Sequence, residues 1–102
     1  MNFFRKKNTA YISLEQHDLN SDAEKLWADL QYTLHGQNVE HVTIRLYDAT
    51  DISLKALSII VSLGLKLKHD EIRFEFEASR RVISLIRRLN FASSFAQLTE
   101  VA

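Results

Sequence analysis

The sequence predicts an α/β fold in two layers: a mostly parallel sheet of four to five strands with helices mainly on one face. Three segments, centred on Ile12, Ile44 and Phe74, alternate apolar with polar side chains as half-buried strands do. Helical spacing separates them, and a strand–helix–strand connection implies right-handed crossovers and parallel pairing. Because the alternation is strict, we expect the helices to cover one sheet face and leave the other at least partly wet.

The strand segments can be assigned to these faces residue by residue. The expected buried positions are Ala10, Ile12, Leu14, Val42, Ile44, Leu46, Ile72, Phe74 and Phe76. The expected wet positions are Ser13, Glu15, Thr43, Arg45, Tyr47, Arg73 and Glu75. A further strand around Phe3 and Phe4 would form a sheet edge, where Arg5, Lys6 and Lys7 discourage further edge pairing.

Helix one is predicted between the first two of these central strands. Asn20 or Ser21 can cap it, Ser21 and Glu24 have the capping-box spacing, and Gly36 can end it. Its apolar stripe consists of Ala23, Leu26, Trp27, Leu30 and Leu34. We therefore expect Trp27 to be a core residue.

Two more helices follow, and a short closing helix is suggested by Phe91 and Phe95. The second, from Ser53 to about Lys68, has a polar strip at Lys55, Ser58, Ser62 and Lys66. Its other side bears Leu54, Leu57, Ile60, Val61 and Leu65, so we expect it to be mostly buried. Ser79 can cap the third, with Val82, Leu85, Ile86 and Leu89 facing inward and Arg80, Arg81, Arg87 and Arg88 facing out.

Composition limits the functions that the chain can have. Its 102 residues are enough for one domain, residues 1–102, and the absence of cysteine excludes thiolate metal sites and a cysteine nucleophile. Thirteen basic and thirteen acidic side chains give no overall field for nucleic acid. However, residues 1–51 carry a net charge of −3 and residues 52–102 a net charge of +3. With no signal peptide or membrane-spanning pattern, we expect a cytoplasmic protein without membrane insertion.

No catalytic constellation is recognisable in the sequence. His17, His35, His41 and His69 have no ligand-like spacing, and there is no glycine-rich phosphate loop or nucleophile elbow. We therefore expect a protein that is not an enzyme and that needs neither a metal nor a cofactor.

The most informative segment joins the strand Val42–Leu46 to the second helix. Asp51 and Ser53 there lie at a strand carboxyl end and a helix amino end, the edge of α/β sheets where function tends to sit. One interpretation is simple capping of the helix. The other is a phosphorylation switch, because a phosphate on Ser53 would meet free amides and the positive end of the helix dipole.

The chain resembles the STAS domain of bacterial anti-sigma factor antagonists, also found in stressosome proteins and at the ends of sulfate transporters. The likeness covers nearly the whole chain and rests on Asp51-Ile52-Ser53-Leu54 before an apolar helix, and on a last amphipathic helix, residues 79–91, followed by Phe95. Ile52 replaces the usual first hydroxyl residue and Leu54 the common glycine.

The resemblance implies that Ser53, with Thr50 as second choice, is phosphorylated by a partner kinase. It implies a partner surface of Asp48, Thr50, Asp51, Ser53, Leu54 and Lys55. The expected partner is an anti-sigma factor or serine-kinase-like switch protein, with a phosphatase as a further candidate and the chain itself a monomer or weak dimer. The alternatives are a STAS subunit of a transport assembly of the lipid-transport ABC type, without phosphate, or a stressosome-type scaffold.

Overall fold

A computed structural model describes residues 1–47, 49 and 51–101. Within these residues the chain forms five strands and four helices, and a single 3-10 turn follows the last helix. Their bounds are β1 Asn2–Lys6, β2 Thr9–Leu14, α1 Gln16–Leu19, α2 Ala23–Leu34, β3 His41–Leu46, α3 Leu54–His69, β4 Arg73–Ala78, α4 Arg80–Arg88, the 3-10 turn Ala92–Ser94 and β5 Gln97–Glu100. The predicted α/β class and mostly parallel sheet are confirmed.

The strands lie in the sheet in chain order, from β1 to β5. β1 pairs antiparallel with β2, whereas β2, β3, β4 and β5 pair in parallel. The edge strand expected around Phe3 and Phe4 is therefore present as β1. Since each parallel connection contains a helix, the carboxyl ends of β2, β3 and β4 and the amino ends of α2, α3 and α4 meet at one edge of the sheet. We call it the carboxyl edge, and the opposite one the amino edge.

Alternation along the strands separates a core face from an open face. Matched rows such as Ile12, Ile44 and Phe76 are fully buried. The intervening positions carry the exposed Arg45 and Arg73, which lie 3.7 Å from Glu77 and 3.6 Å from Glu75. Thr43 differs from the expectation of a wet position: it is 5 % exposed, because neighbouring strands flank β3 on both sides.

Several helix details differ from the sequence prediction. The cap of α2 is Asp22, whose carboxylate accepts from the Glu24 amide at 2.7 Å, and not Asn20 or Ser21. The short α1 was not predicted; its capping box joins Glu15 and Asp18. In α3, Leu57, Ile60 and Val61 are buried as expected, but Leu54 is 63 % and Leu65 56 % exposed. These two leucines lie on the outward side of the helix, so α3 has more apolar side chains than the core buries.

Two aromatic expectations were only partly right. Trp27 is half-buried. Its position on the apolar face of α2 places the side chain at the junction of α2 and α3, where it packs against the margin of the core. Phe95 is buried and stacks near Phe74 and Phe76, with ring centroids 5.2 and 5.4 Å apart. The predicted closing helix is a single 3-10 turn, and the chain continues into β5, which the sequence prediction did not locate. On α4, Leu89 is exposed and not inward.

Gly64 marks the closest approach of α3 to its neighbours. A Cβ at this position would lie 2.6 Å from the Ser94 carbonyl oxygen and 3.0 Å from the Phe74 ring. The first distance is to backbone, which cannot turn aside as a flexible side chain would. Glycine therefore allows the helix to pack directly against β4 and the 3-10 turn.

We expect Gly64→Ala to lower the free energy of unfolding by about 1–3 kcal/mol, as overpacking does in dense cores. Elsewhere in a helix, replacing glycine with alanine raises the free energy of unfolding by about 1 kcal/mol. The sign of the change in the free energy of unfolding therefore tests whether Gly64 makes this close approach. Urea unfolding measures it, with Ser58→Ala on the exposed side of α3 as control. A stabilised Gly64→Ala variant would show that the backbone contact is absent.

Candidate functional site

The candidate site lies at the carboxyl edge, where β3 leads into α3. Ala49 and Ile52 are buried and anchor this connection to the core. Asp51 and Ser53 are exposed on either side of Ile52. Alternating buried and exposed residues thus present a carboxylate and a hydroxyl to solvent from a connection anchored in the core.

Ser53 is the N-cap of α3. Its backbone is extended, with φ −72° and ψ 157°, and its Oγ accepts a hydrogen bond from the Ala56 amide at 3.2 Å. The Ser53 carbonyl oxygen accepts from the Leu57 amide at 2.9 Å. This is the capping that the sequence predicted, and it places the hydroxyl oxygen on the axis of a 16-residue helix, at its positive end.

Asp51 connects the site to α4. Its Oδ1 accepts from the Ile52 amide at 2.9 Å, and its Oδ2 lies 3.7 Å from an Arg81 guanidinium nitrogen. Both side chains are exposed, so the pair contributes little to stability. It does place a cation beside the site. From the sequence, Arg81 was expected only to face solvent on the basic side of this helix, and it was not predicted as part of the site.

The side chains that follow Ser53 are open to solvent. Leu54 and Lys55 begin the first turn of α3, and both are exposed. Leu54 is an apolar side chain of full size at an edge that otherwise carries mostly polar groups. Such a side chain is typical of a contact surface when polar residues surround it.

A shallow depression lies beside Ser53, between the α1–α2 turn and the start of α3. Ser53, Lys55 and Ala56 form one wall. Asp22 and Glu24, at the start of α2, belong to the other. These two acids were not predicted as neighbours of Ser53, because their adjacency to the start of α3 follows from parallel crossovers only once the strand order is known.

Four of the six residues predicted as a partner surface therefore lie together at the start of α3: Asp51, Ser53, Leu54 and Lys55. The other two, Asp48 and Thr50, lie outside the described residues. The structure adds Arg81, Asp22 and Glu24 to the surroundings of Ser53.

The histidines show no arrangement for catalysis in the part of the chain that is described. His17 lies 3.2 Å from Glu15 and 3.5 Å from Asp18, a proximity that its spacing did not suggest, but its side chain is largely exposed. Over residues 1–47, 49 and 51–101, no group of three or more histidine and carboxylate side chains is placed to hold a metal ion. Within the same residues, no helix has the length and apolar character needed to cross a membrane.

Asp18 is the titratable group at this edge with the clearest perturbation. Burial raises the pKa of its carboxyl, but hydrogen bonds from the Glu15 amide at 2.9 Å and from the N-terminal ammonium at 3.1 Å outweigh burial. The result is a pKa below its usual value. Because the side chain is 13 % exposed, these contacts hold α1 and the start of β1 together away from bulk water.

We expect Asp18→Asn to lower the free energy of unfolding at pH 7 by about 1–2 kcal/mol, since it removes the charge from partly buried hydrogen bonds. A lowered pKa stabilises the fold above the unfolded value of about 3.9, and this contribution is lost as pH falls through the folded value. The deficit of the variant should therefore shrink between about pH 5 and pH 2 in urea unfolding. Asp29→Asn, at an exposed pair with Lys25, is the control. A deficit that does not change with pH would contradict this role.

Comparison with known proteins gives a structural match. No family model matches the sequence, and no curated protein matches it. A chain of the solved structure described as the molecular architecture of the stressosome, a signal integration and transduction hub, superposes with a TM-score of 0.80. The match covers 98 % of this chain and 89 % of that one, at 7 % sequence identity. The chain therefore has a STAS-like fold, as the sequence motifs predicted.

Proposed function

We propose that the chain is a protein-binding regulatory module whose partner surface is switched by phosphorylation of Ser53. The observation that carries the proposal is the exposed Ser53 hydroxyl at the N-cap of α3. The fold similarity to a stressosome chain supports a role in a regulatory assembly. In this proposal the chain is a bacterial, cytoplasmic regulator of transcription that performs no catalysis and carries no cofactor.

The cap position suits a switch that changes the surface and preserves the fold. Phosphorylation adds about two negative charges, and the amino end of a helix stabilises negative charge. Arg81, already within 3.7 Å of Asp51, provides a further cation near the added charge. The same two charges on a contact surface would be strongly unfavourable for a partner that packs on Leu54, because burying an unpaired charge costs several kcal/mol.

The partner in this proposal is an anti-sigma factor or a serine-kinase-like switch protein, with a phosphatase to reverse the modification. Its contact surface includes Asp51, Ser53, Leu54 and Lys55, which share the start of α3. Thr50 remains the second phosphoacceptor and Asp48 a further contact, both from the sequence alone.

One observation favours a second function, that of a permanently docked subunit of a transport assembly. Leu54 is 63 % exposed, directly after the candidate phosphoacceptor. A large apolar side chain suits a constitutive interface better than one that must release when charged. In that case Ser53 acts only as a helix cap.

Capture of partners from the source cell by wild type and variants separates the two functions. We expect Ser53→Asp to keep the fold, because aspartate is a good N-cap, but to lose partner affinity by about a hundredfold. Ser53→Ala should lose about 1 kcal/mol of stability while it keeps the partner and takes up no phosphate at this position. Mass spectrometry of captured wild type locates any phosphate.

Ser62→Asp is the matched control, since it adds the same charge to an exposed serine more than two turns further along α3. It should bind the partner like wild type. Equal capture by wild type, Ser53→Ala and Ser53→Asp, with no phosphate at Ser53 or Thr50, would refute the switch and support the docked subunit.

A further inference from the structure

Charged side chains are distributed unequally between the two edges of the sheet. Among the described residues, the carboxyl edge has six acidic side chains against four basic ones. The acids are Glu15, Asp18, Asp22, Glu24, Asp51 and Glu100, and the bases Lys25, Lys55, Arg80 and Arg81. The amino edge has eight basic side chains against three acidic ones: Arg5, Lys6, Lys7, Lys66, Lys68, Arg73, Arg87 and Arg88 against Glu40, Asp70 and Glu71.

A chain of zero net charge therefore has one end with an acidic surplus and one end with a basic surplus. Acids at helix amino ends and bases at helix carboxyl ends stabilise each helix, which accounts for part of the arrangement. Helix stabilisation does not require exposed apolar surface at either end. Both ends nevertheless have apolar features, an exposed side chain at one end and a depression at the other.

At the carboxyl edge the apolar feature is a projection. Leu54 is 63 % exposed at the start of α3, three residues after the exposed Asp51. At the amino edge it is a depression between the last turns of α2 and α3. Leu34, Val39, Leu63 and Leu67 contribute to its lining, and two charged residues, Lys66 and Asp70, also line it.

We propose that the chain associates head to tail with further copies of itself, the carboxyl edge of one copy docking on the amino edge of the next. Leu54 then enters the depression of the neighbouring copy, and the acids of the carboxyl edge face Lys66 and the other cations of the amino edge. The occupant is a second copy because this chain itself has both complementary ends, and because zero net charge leaves no overall repulsion between copies.

Such an interface joins two different surfaces, so each added copy leaves one free end of each kind. Heterologous contacts of this type produce rings or open chains, and not only closed dimers. Attraction between opposite ends also depends on ionic strength, since salt screens exposed charges beyond about 10 Å at 0.1 M. Neither property requires a phosphate on Ser53.

Sedimentation velocity of the unmodified chain tests the proposal. At about 10 mM salt the weight-average mass should rise with protein concentration beyond that of a dimer, and at about 1 M salt it should fall toward the monomer. A monomer at every concentration in low salt would overturn the inference, and so would a dimer that salt leaves unchanged.

Two matched charge reversals on α3 separate an effect of the ends from an effect of net charge. Lys66→Glu, in the last turn, should weaken association by about tenfold. Lys55→Glu, in the first turn, changes net charge equally but makes the acidic end more acidic, so it should strengthen association. Circular dichroism checks that both variants are folded. Equal shifts in the same direction would contradict docking of opposite ends.

A mixing experiment tests the head-to-tail arrangement itself. Leu54→Asn weakens the carboxyl edge and Lys66→Glu weakens the amino edge, so at a protein concentration near the wild-type dissociation constant each variant alone should be largely monomeric. Mixed in equal amounts, they retain one complementary pair of ends and should form dimers that grow no further. A mixture that stays monomeric would refute the assignment of the two surfaces.

Discussion

The structure depends on one constraint, which is that β2, β3 and β4 bury the same alternate positions. Matched rows such as Ala10, Val42 and Phe74 form a single apolar face. Helices that follow these strands must cover that face, and right-handed crossovers then bring their amino ends to one edge. The position of Ser53 follows from the periodicity of the strands together with the handedness of the connections.

Packing fixes the position of the Ser53 hydroxyl at the carboxyl edge. Ala49 and Ile52 anchor the β3–α3 connection, while the capped first turn of α3 holds the hydroxyl of Ser53 in place. A charge added here meets a helix dipole that stabilises it and a surface that presents it to a partner. Helix dipoles also favour cations at helix carboxyl ends, and these ends meet at the amino edge. The charges that stabilise single helices therefore make one end of the molecule acidic and the other basic.

Hydrophobic repeats that continue over several residues allowed most of the fold to be predicted from the sequence. Strands β2, β3 and β4 and the caps Ser53 and Ser79 were recognisable because several residues repeat at a fixed spacing or precede such a repeat. The four-residue α1 and β5 were missed, since so short a segment does not establish a period. Leu65 was expected to be buried but is 56 % exposed, because helical spacing shows where apolar residues lie but not how far the core extends.

Contacts between segments that are far apart in the sequence could not be predicted from residue spacing. The approach of Arg81 to Asp51 joins residues from two different crossovers, and the depression beside Ser53 joins the start of α2 to the start of α3. Both follow from adjacency at the carboxyl edge, which the parallel topology implies only once strand order is known. The candidate site was therefore located from the sequence, while its charged surroundings required the structure.

The central claim is that charge at Ser53 changes the surface of the protein and leaves its core intact. The most direct measurement is a comparison of amide NMR spectra of the chain with and without a phosphate installed at Ser53. The account predicts shifts confined to the first turn of α3, the α1–α2 turn and the start of α4, with the amides of β2, β3 and β4 unchanged. Shifts spread through those strands, or loss of dispersed signals, would contradict it.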